Sequence, residues 1–280
     1  MSIVVANNIA SLIAQRNLGS NTKNLISSIE KLSSGYRINR AADDAAGLSI
    51  SENLRGQIRG NKQSINNVQD GINLLQIAES GLTVINENLQ RIRELTIQAA
   101  NDTNGSVERA AILSEVTQRL ADVDRIAKST KFNNTSLLDG TATSTLLQTG
   151  ANSLASTNTI DIATVLTSSK ASFLGVTITV TGATWSSTRI RSYLGQLDLA
   201  LSSITTKRST IGALQNRLES TLENLNVMNE NLQASESRIR DVDIAMETAK
   251  FTKNQILQQA SAIVLSQANQ IPSLALSLMR

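Results

Sequence analysis

From Ser64 to Ala100 apolar side chains return every three or four residues, and no proline interrupts them. The positions are Ile65, Val68, Ile72, Leu75, Ala78, Leu82, Ile85, Leu89, Ile92, Leu95 and Ala99. Such a stripe suits one face of a helix and fails the period-two test of a strand. Its steps alternate between three and four, with doubled threes near Ala78 and Leu95. That spacing predicts a coiled-coil helix with local phase shifts, roughly 55 Å long at 1.5 Å per residue. A helix of this kind is not stable alone in water, so the chain must supply partners for the stripe.

Partners are present on both sides. The run Asn101-Asp102-Thr103-Asn104-Gly105-Ser106 carries turn chemistry, with Ser106 the expected N-cap, and a second stripe follows on Leu113, Val116, Leu120, Val123 and Ala127. The C-terminal half repeats the pattern on Leu194, Leu197, Leu201, Ile204, Ile211, Leu214, Leu218, Leu222, Leu225 and Leu232, continuing through Ile239, Val242 and Met246. Arg208 is the polar interruption of that seam. A last amphipathic stretch holds Ile256, Ala260, Ile263 and Val264 before Pro272, and the N-terminus does likewise with Val5, Ile9, Leu12, Leu25, Ile29 and Leu32. Pro272 is the one proline of the chain. Ser, Thr, Asn and Gln account for 103 of the 280 residues and aromatics for only six, which suits narrow apolar stripes and not a thick aromatic core.

The middle differs. Between Thr141 and Ser187, 20 of 47 residues are Ser or Thr, and Asp161 and Lys170 are the only charges. The runs Thr159-Ile160-Asp161-Ile162 and Val176-Thr177-Ile178-Thr179-Val180-Thr181 alternate at period two, which predicts strands. The expected fold is mainly α, an elongated antiparallel helical bundle or coiled coil built from both chain ends with a small β-hairpin insert. Three domains follow: 1–44 with 237–280, a helical body of 45–140 with 188–236, and a β-rich insert of 141–187.

Composition closes most routes to catalysis. With no Cys and no His, disulfide scaffolds, zinc sites of thiolate or imidazole, Cys nucleophiles and His-based triads are excluded. Asp43-Asp44 and Asp241 with Asp243 are the carboxylate pairs that could hold a metal or a proton. Consecutive helical residues point about 100° apart, so a solvated or salt-bridged face is the better reading. Gly56-x-x-x-Gly60 lies in a charged segment, which suits local helix contact over membrane dimerisation. There is no phosphate-cradling GxGxxG or GxxxxGK. A net charge of +3, dispersed and without interleaved aromatics, is no nucleic-acid footprint. No window reaches the ~18 apolar residues of a membrane span, and the N-terminus lacks the basic start of a secretory signal. The expectation is a cytoplasmic protein, or one exported by a route that reads no such signal, with no catalytic residue, cofactor or metal. Its product is a surface.

Particular residues carry the reading further. Asn7-Asn8-Ile9, Leu32-Ser33-Ser34-Gly35-Tyr36-Arg37-Ile38-Asn39, and AADDAAGLSISENLRGQIRG from Ala41 to Gly60 resemble the N-terminal region of bacterial flagellin. Leu89-Gln90-Arg91-Ile92-Arg93-Glu94-Leu95 is similar to a helix of that family, as are Ile211-Gly212-Ala213-Leu214-Gln215-Asn216-Arg217-Leu218 and SRIRDVDIAMETAKFTKNQILQQA from Ser237 to Ala260. The resemblance spans about 1–140 and 190–280. It implies a filament subunit for motility, exported unfolded by the flagellar type III apparatus, with paired termini lining the filament channel and the helical body around them. Implied partners are further copies of the chain, an export chaperone, cap and hook-associated proteins, and Toll-like receptors of hosts, with no nucleic acid and no membrane. The receptor-binding positions carried over are Gln90, Arg91, Leu95 and Glu115, with Arg91 offering planar donors and Leu95 an apolar anchor. Leu276, Leu278 and Met279 resemble a tail read by cytosolic immune sensors, with Met279 where the family often has Leu. The alternatives are a hook–filament junction protein, which the unbroken DDAAGLSISENLRGQIRG stretch disfavours, and an enzymatic flagellin. With one Asp as its only carboxylate, the insert is ill suited to a hydrolase. Its many hydroxyls are candidate O-glycan sites.

Overall fold

A computed structural model describes residues 8–141, 145–178 and 186–278. The chain is mainly helical, in the order α1 (Ile9–Ser34), α2 (Ala45–Ala100), α3 (Ser106–Ser129), β1 (Lys131–Phe132), β2 (Thr135–Ser136), β3 (Leu146–Gln148), α4 (Ala155–Asn158), β4 (Thr159–Asp161), α5 (Ser187–Arg240) and α6 (Ile244–Leu278). It divides into two compact units, one of Met1–Ile58 with Glu230–Arg280 and one of Arg59–Asn229.

The second unit holds the core. On α2, two columns of buried residues repeat every seven positions: Asn61, Val68, Leu75, Leu82, Leu89 and Thr96, then Ser64, Gly71, Ala78, Ile85, Ile92 and Ala99. This is an unbroken heptad seam. The phase shifts expected from the apolar pattern arise because Asn61, Ser64, Gly71 and Thr96 occupy seam positions, while Ile65 and Ile72 lie beside the seam, half-buried. α5 answers with Ile190, Leu197, Ile204, Ile211, Leu218 and Leu225, again seven apart. It runs antiparallel to α2, as the ion pair of Arg93 with Asp198 at 2.7 Å and that of Arg208 with Glu79 at 3.8 Å require. Arg208 therefore sits at the rim of the seam, and the polar member inside it is Lys207. α3 adds Val116, Leu120, Val123 and Ala127 to the same core. Its N-cap is Gly105, so Ser106 opens the helix and is not the cap.

The insert belongs to this unit. β3 pairs antiparallel with β4, Leu147 opposite Ile160. The Thr159–Ile162 alternation thus forms a strand over its first three residues, with Leu146–Gln148 as a partner the sequence pattern does not announce. Val176–Ile178 is not a strand, and Thr179–Thr181 lie outside the described residues. A second, unexpected hairpin pairs β1 with β2 around Asn133 and Asn134, both at positive φ (42° and 68°). A two-residue loop with both φ positive is the turn that matches strand twist, and Asn tolerates it. The β3–β4 hairpin lies on α2: the Asn67 amide donates to the Gln148 carbonyl at 3.1 Å, and a Cβ on Gly60 would meet Ala151 Cβ at 2.7 Å. Gly60 is thus the close-contact glycine of the Gly56-x-x-x-Gly60 pair, and Gly56 faces open space.

In the other unit α1 packs on α6. The contacts pair rising numbers on α1 with falling numbers on α6, from Asn8 with Ala268 to Asn254 with Ser28, so the helices are antiparallel. α6 continues through Pro272 to Leu278, further than expected. Proline lacks the N–H that would bond the carbonyl four residues back. That carbonyl belongs to Ala268, and the Asn8 side-chain amide donates to it at 2.8 Å.

Candidate functional site

The carboxylate pairs singled out by sequence are loop and cap residues, not members of a helical face. Asp44 Oδ1 accepts the Gly47 N–H at 2.9 Å and Asp243 Oδ1 the Met246 N–H at 3.0 Å, each closing the first turn of a helix. Asp43 accepts the Arg40 and Asn39 N–H groups, and these bonds, the Arg40 one first, hold its carboxyl below the usual range. Among the described residues no three His, Cys, Asp or Glu groups converge as a metal site. No described helix is long and apolar enough to cross a membrane.

The site worth building is instead the surface of the α1/α6 hairpin. Along its seam small and polar groups alternate with the half-buried Leu18, Leu25 and Leu32 of α1 and Phe251 and Leu265 of α6. Ala14, Ser28 and Ala268 are buried there, and amides and hydroxyls link the helices. The Ser11 hydroxyl donates to Asn269 Oδ1 at 2.6 Å, the Asn21 amide to Ser261 Oγ at 2.8 Å, and the Gln258 amide to Thr22 Oγ1 at 3.4 Å. Asn8 works twice, since its Oδ1 also accepts the Ser11 N–H and caps α1. A second set of large apolar residues faces the other way. Ile9, Leu12, Ile13, Ile26 and Ile29 on α1 are exposed, as are Ile256, Leu257, Ile263 and Val264 on α6; Leu12 is 69% and Ile263 67% exposed. Helix pairs use small residues and hydrogen bonds at the seam where the surroundings are as apolar as the seam itself. In water the arrangement leaves most of the hydrophobic gain unrealised. It is a surface built to be covered.

The base of the hairpin is a knit joint. α1 ends at Gly35, whose φ of 75° favours a residue without Cβ, and the Gly35 N–H donates to Lys31 O at 2.9 Å. Tyr36 and Asp241 then form an antiparallel bridge. The Arg37 N–H donates to Arg240 O at 2.6 Å and the Val242 N–H to Gly35 O at 3.0 Å. The Arg37 guanidinium reaches the Ile239 carbonyl. Arg240 stacks over the Tyr36 ring, 4.8 Å from its centroid, and binds the Glu52 carboxylate at 2.5 Å. The Arg240 and then the Arg55 hydrogen bonds hold the Glu52 carboxyl below its ordinary value. Beside the joint a cleft of about 280 Å³ is lined by Lys31, Arg37, Asp43, Asp243, Glu247 and Lys250 among others.

The carried-over receptor positions separate. Gln90 is exposed, and Arg91 binds Glu94 at 2.8 Å and approaches Glu115 at 3.9 Å, which also takes the Arg119 guanidinium at 3.1 Å. Leu95 is only 3% exposed and packs in the core of its own unit. It supports that surface from beneath and is not an exposed anchor, because it falls on the side of α2 turned to the core. Leu276 and Leu278 belong to α6, with side chains outside the described part, and Met279 lies outside the described residues. Asn8, Tyr36, Glu52 and Arg240 lie in the runs that carry the family resemblance, but sequence reasoning assigned none of them a role; only Asn8, before a helical stripe, carried a usable signal.

Known proteins show the same plan at both ends. The family model for the bacterial flagellin N-terminal helical region matches residues 5–143, and that for the C-terminal helical region matches 194–279. A flagellin of Halalkalibacterium halodurans is 44% identical over 99% of this chain and 100% of its own length. The Bacillus subtilis flagellin is 41% identical over 99% of each chain, and a 33 kDa flagellar filament core protein of Treponema phagedenis is 40% identical over 99% of this chain and 100% of its own. Among solved structures, a flagellar hook-associated chain from Vibrio parahaemolyticus covers 71% of this chain and 100% of its own with TM-score 0.58. At 12% identity that likeness shows the fold alone. The crystal structure of Bacillus cereus flagellin is 30% identical, covers 57% of this chain and 88% of its own, and has TM-score 0.49. With family regions matched at both ends and near-complete alignment to curated flagellins, the chain belongs to the bacterial flagellins and is a structural subunit of the flagellar filament.

Proposed function

We propose that the α1/α6 hairpin is the element that joins one subunit to the next. The supporting observation is the row of large apolar residues left outside, Leu12, Ile26, Ile256 and Ile263, over a seam in which amides, hydroxyls and alanines take many of the inner positions. Further copies of the same hairpin are the occupants that match it, because their outer faces are equally apolar and their association buries both at once. On this reading 1–44 with 237–280 forms the channel-lining layer of the filament, 45–140 with 188–236 the surrounding tube, and 141–187 the outward insert. The subunit travels unfolded through the flagellar type III apparatus, meets an export chaperone, the cap and hook-associated proteins, and needs no catalytic group for any step. Coupling the final folding of the hairpin to assembly suits that route, since its exposed faces would be a liability in a free folded monomer. Host Toll-like receptors would read Gln90, Arg91 and Glu115 over the support of Leu95, and cytosolic sensors the tail at Leu276, Leu278 and Met279. The hydroxyls of the insert remain candidate glycan carriers.

The test is polymerisation of full-length subunits on filament seeds, followed by light scattering and electron microscopy. Leu12→Asp and Ile263→Asp should each abolish elongation while the circular-dichroism melt of the body is unchanged. Filaments of normal length from both variants would overturn the assignment.

A further inference from the structure

Lys207 stands where an apolar side chain belongs. It falls in the column Tyr193, Ala200, Lys207, Leu214 of α5, seven residues apart and turned toward the core. Its ammonium has three hydrogens and finds three oxygens: Thr167 O at 3.2 Å, Ser168 O at 2.7 Å and Ser169 Oγ at 3.0 Å. The Phe173 ring lies 5.7 Å away on the same side. All three acceptors come from one short segment of the insert, whose C-terminal end is fastened by two further bonds. The Ser169 N–H donates to Leu138 O at 2.8 Å, and the Ala171 N–H to Asp124 Oδ1 at 2.8 Å.

Among the described residues Lys207 makes no ion pair. The charged groups on the surrounding elements are engaged elsewhere. Arg208 on α5 faces Glu79 of α2, Asp124 of α3 holds the Ala171 amide, and Asp139, just before the insert, holds Thr141, with Lys170 as its neighbouring charge. The oxygens of one peptide segment are thus its hydrogen-bond partners within the chain, and partial burial pushes the Lys207 ammonium down to about 8. For stability of the seam alone, Met or Leu would serve better, since a buried charge is generally no more stabilising than a well-packed apolar residue.

We infer that Lys207 is the anchor of the insert, a positioning residue whose ammonium fixes the 167–169 segment on α5 at the expense of the α5 seam. One consequence distinguishes this role from ordinary packing: loss of the ammonium frees the segment and leaves the helical body intact.

Native-state amide exchange on the full-length monomer tests this. The Ser169 amide reports docking and the Leu89 amide reports the body. Lys207→Met should lower Ser169 protection roughly tenfold or more at pH 7 and leave Leu89 protection and the thermal melt unchanged or raised. Lys207→Arg, which keeps the charge and the donors, should recover part of the Ser169 protection. Undiminished Ser169 protection in Lys207→Met, an equal fall at Leu89, or Ser169 protection in Lys207→Arg no higher than in Lys207→Met would each overturn the assignment.

Discussion

In the unit of Arg59–Asn229 the apolar columns of α2, α3 and α5 point at one another, and Val68, Leu75, Leu82, Leu89 and Ile92 are fully buried. In the unit that holds α1 and α6, the buried apolar residues among those described are Ala14, Ile38, Ile58 and Ala268. Both units use stripes of the same residue types at the same spacing. What differs is which residues occupy the seam. In the body, Gly and Ala alternate with Leu and Ile, so large and small side chains interlock. In the hairpin, small and amide-bearing residues share the seam with leucines that are only half-buried, and a second set of Leu and Ile is left for neighbours. A stripe therefore shows that a helix needs a partner; the seam shows whether that partner is in the same chain.

The strongest way to break this comparison is to truncate one large residue on each side. Leu89→Ala should lower the unfolding free energy of the monomer by about 2–5 kcal/mol, the cost of a cavity in a packed seam. Leu12→Ala should change it by less than about 0.5 kcal/mol, because the side chain has little to lose there, yet it should slow filament elongation. Denaturant melts of both variants decide the matter. A comparable loss from Leu12→Ala would mean that the hairpin face is already covered in the monomer.

Much of this was legible in the chain. The helical seams, the β4 strand and the apolar stripes of α1 and α6 follow from periodicity. The failures share a physical cause: seam positions need not be apolar. Gly71 and Thr96 are invisible to a hydrophobic pattern yet hold the heptad in phase, and Lys207 was hidden behind its neighbour Arg208. Leu95 shows the converse. A residue can belong to a motif by resemblance while its side chain faces the core, and only the register of α2 against α3 and α5 settles which. The joint at Tyr36, Arg240 and Glu52 could not be read at all, because it unites residues some 200 positions apart.

A finer test concerns two glycines of α2, four residues apart. A methyl group at Gly56 meets nothing within 4 Å, so Gly56→Ala should stabilise by about 0.5–1 kcal/mol through helix propensity. At Gly60 the same methyl meets Ala151 Cβ at 2.7 Å and its Cα at 3.3 Å, and no flexible side chain can yield. Overpacking costs about 1–3 kcal/mol, so Gly60→Ala should come out destabilising despite the same propensity gain. The Asn67–Gln148 contact should weaken with it, which exchange at the β3 and β4 amides would report. Stabilisation by both substitutions would mean that the hairpin of the insert rests only loosely on α2.

The smallest expected effect lies at the joint. Glu52 is exposed, but the Arg240 and Arg55 hydrogen bonds hold its carboxyl below the ordinary carboxylate range. A carboxyl depressed in the folded state contributes its stabilisation fully above its unfolded value of 4.5, and loses it as pH falls through the lower folded value. Asp43, held by the Arg40 and Asn39 N–H groups, adds in the same direction. The joint should therefore loosen in acid below about pH 4 and be indifferent to pH between 6 and 8. Arg240 is kept in place meanwhile by Tyr36 and by its own backbone, whose carbonyl accepts the Arg37 N–H. Exchange of the Arg37 and Val242 amides, followed from pH 6 to pH 3, should show protection falling in the unmodified chain. Glu52→Gln, which keeps the shape but not the charge, should begin with less protection and lose less of it on acidification. If the two chains lose protection in parallel, Glu52 is a bystander, and the backbone bridge between Tyr36 and Asp241 holds the base of the hairpin without it.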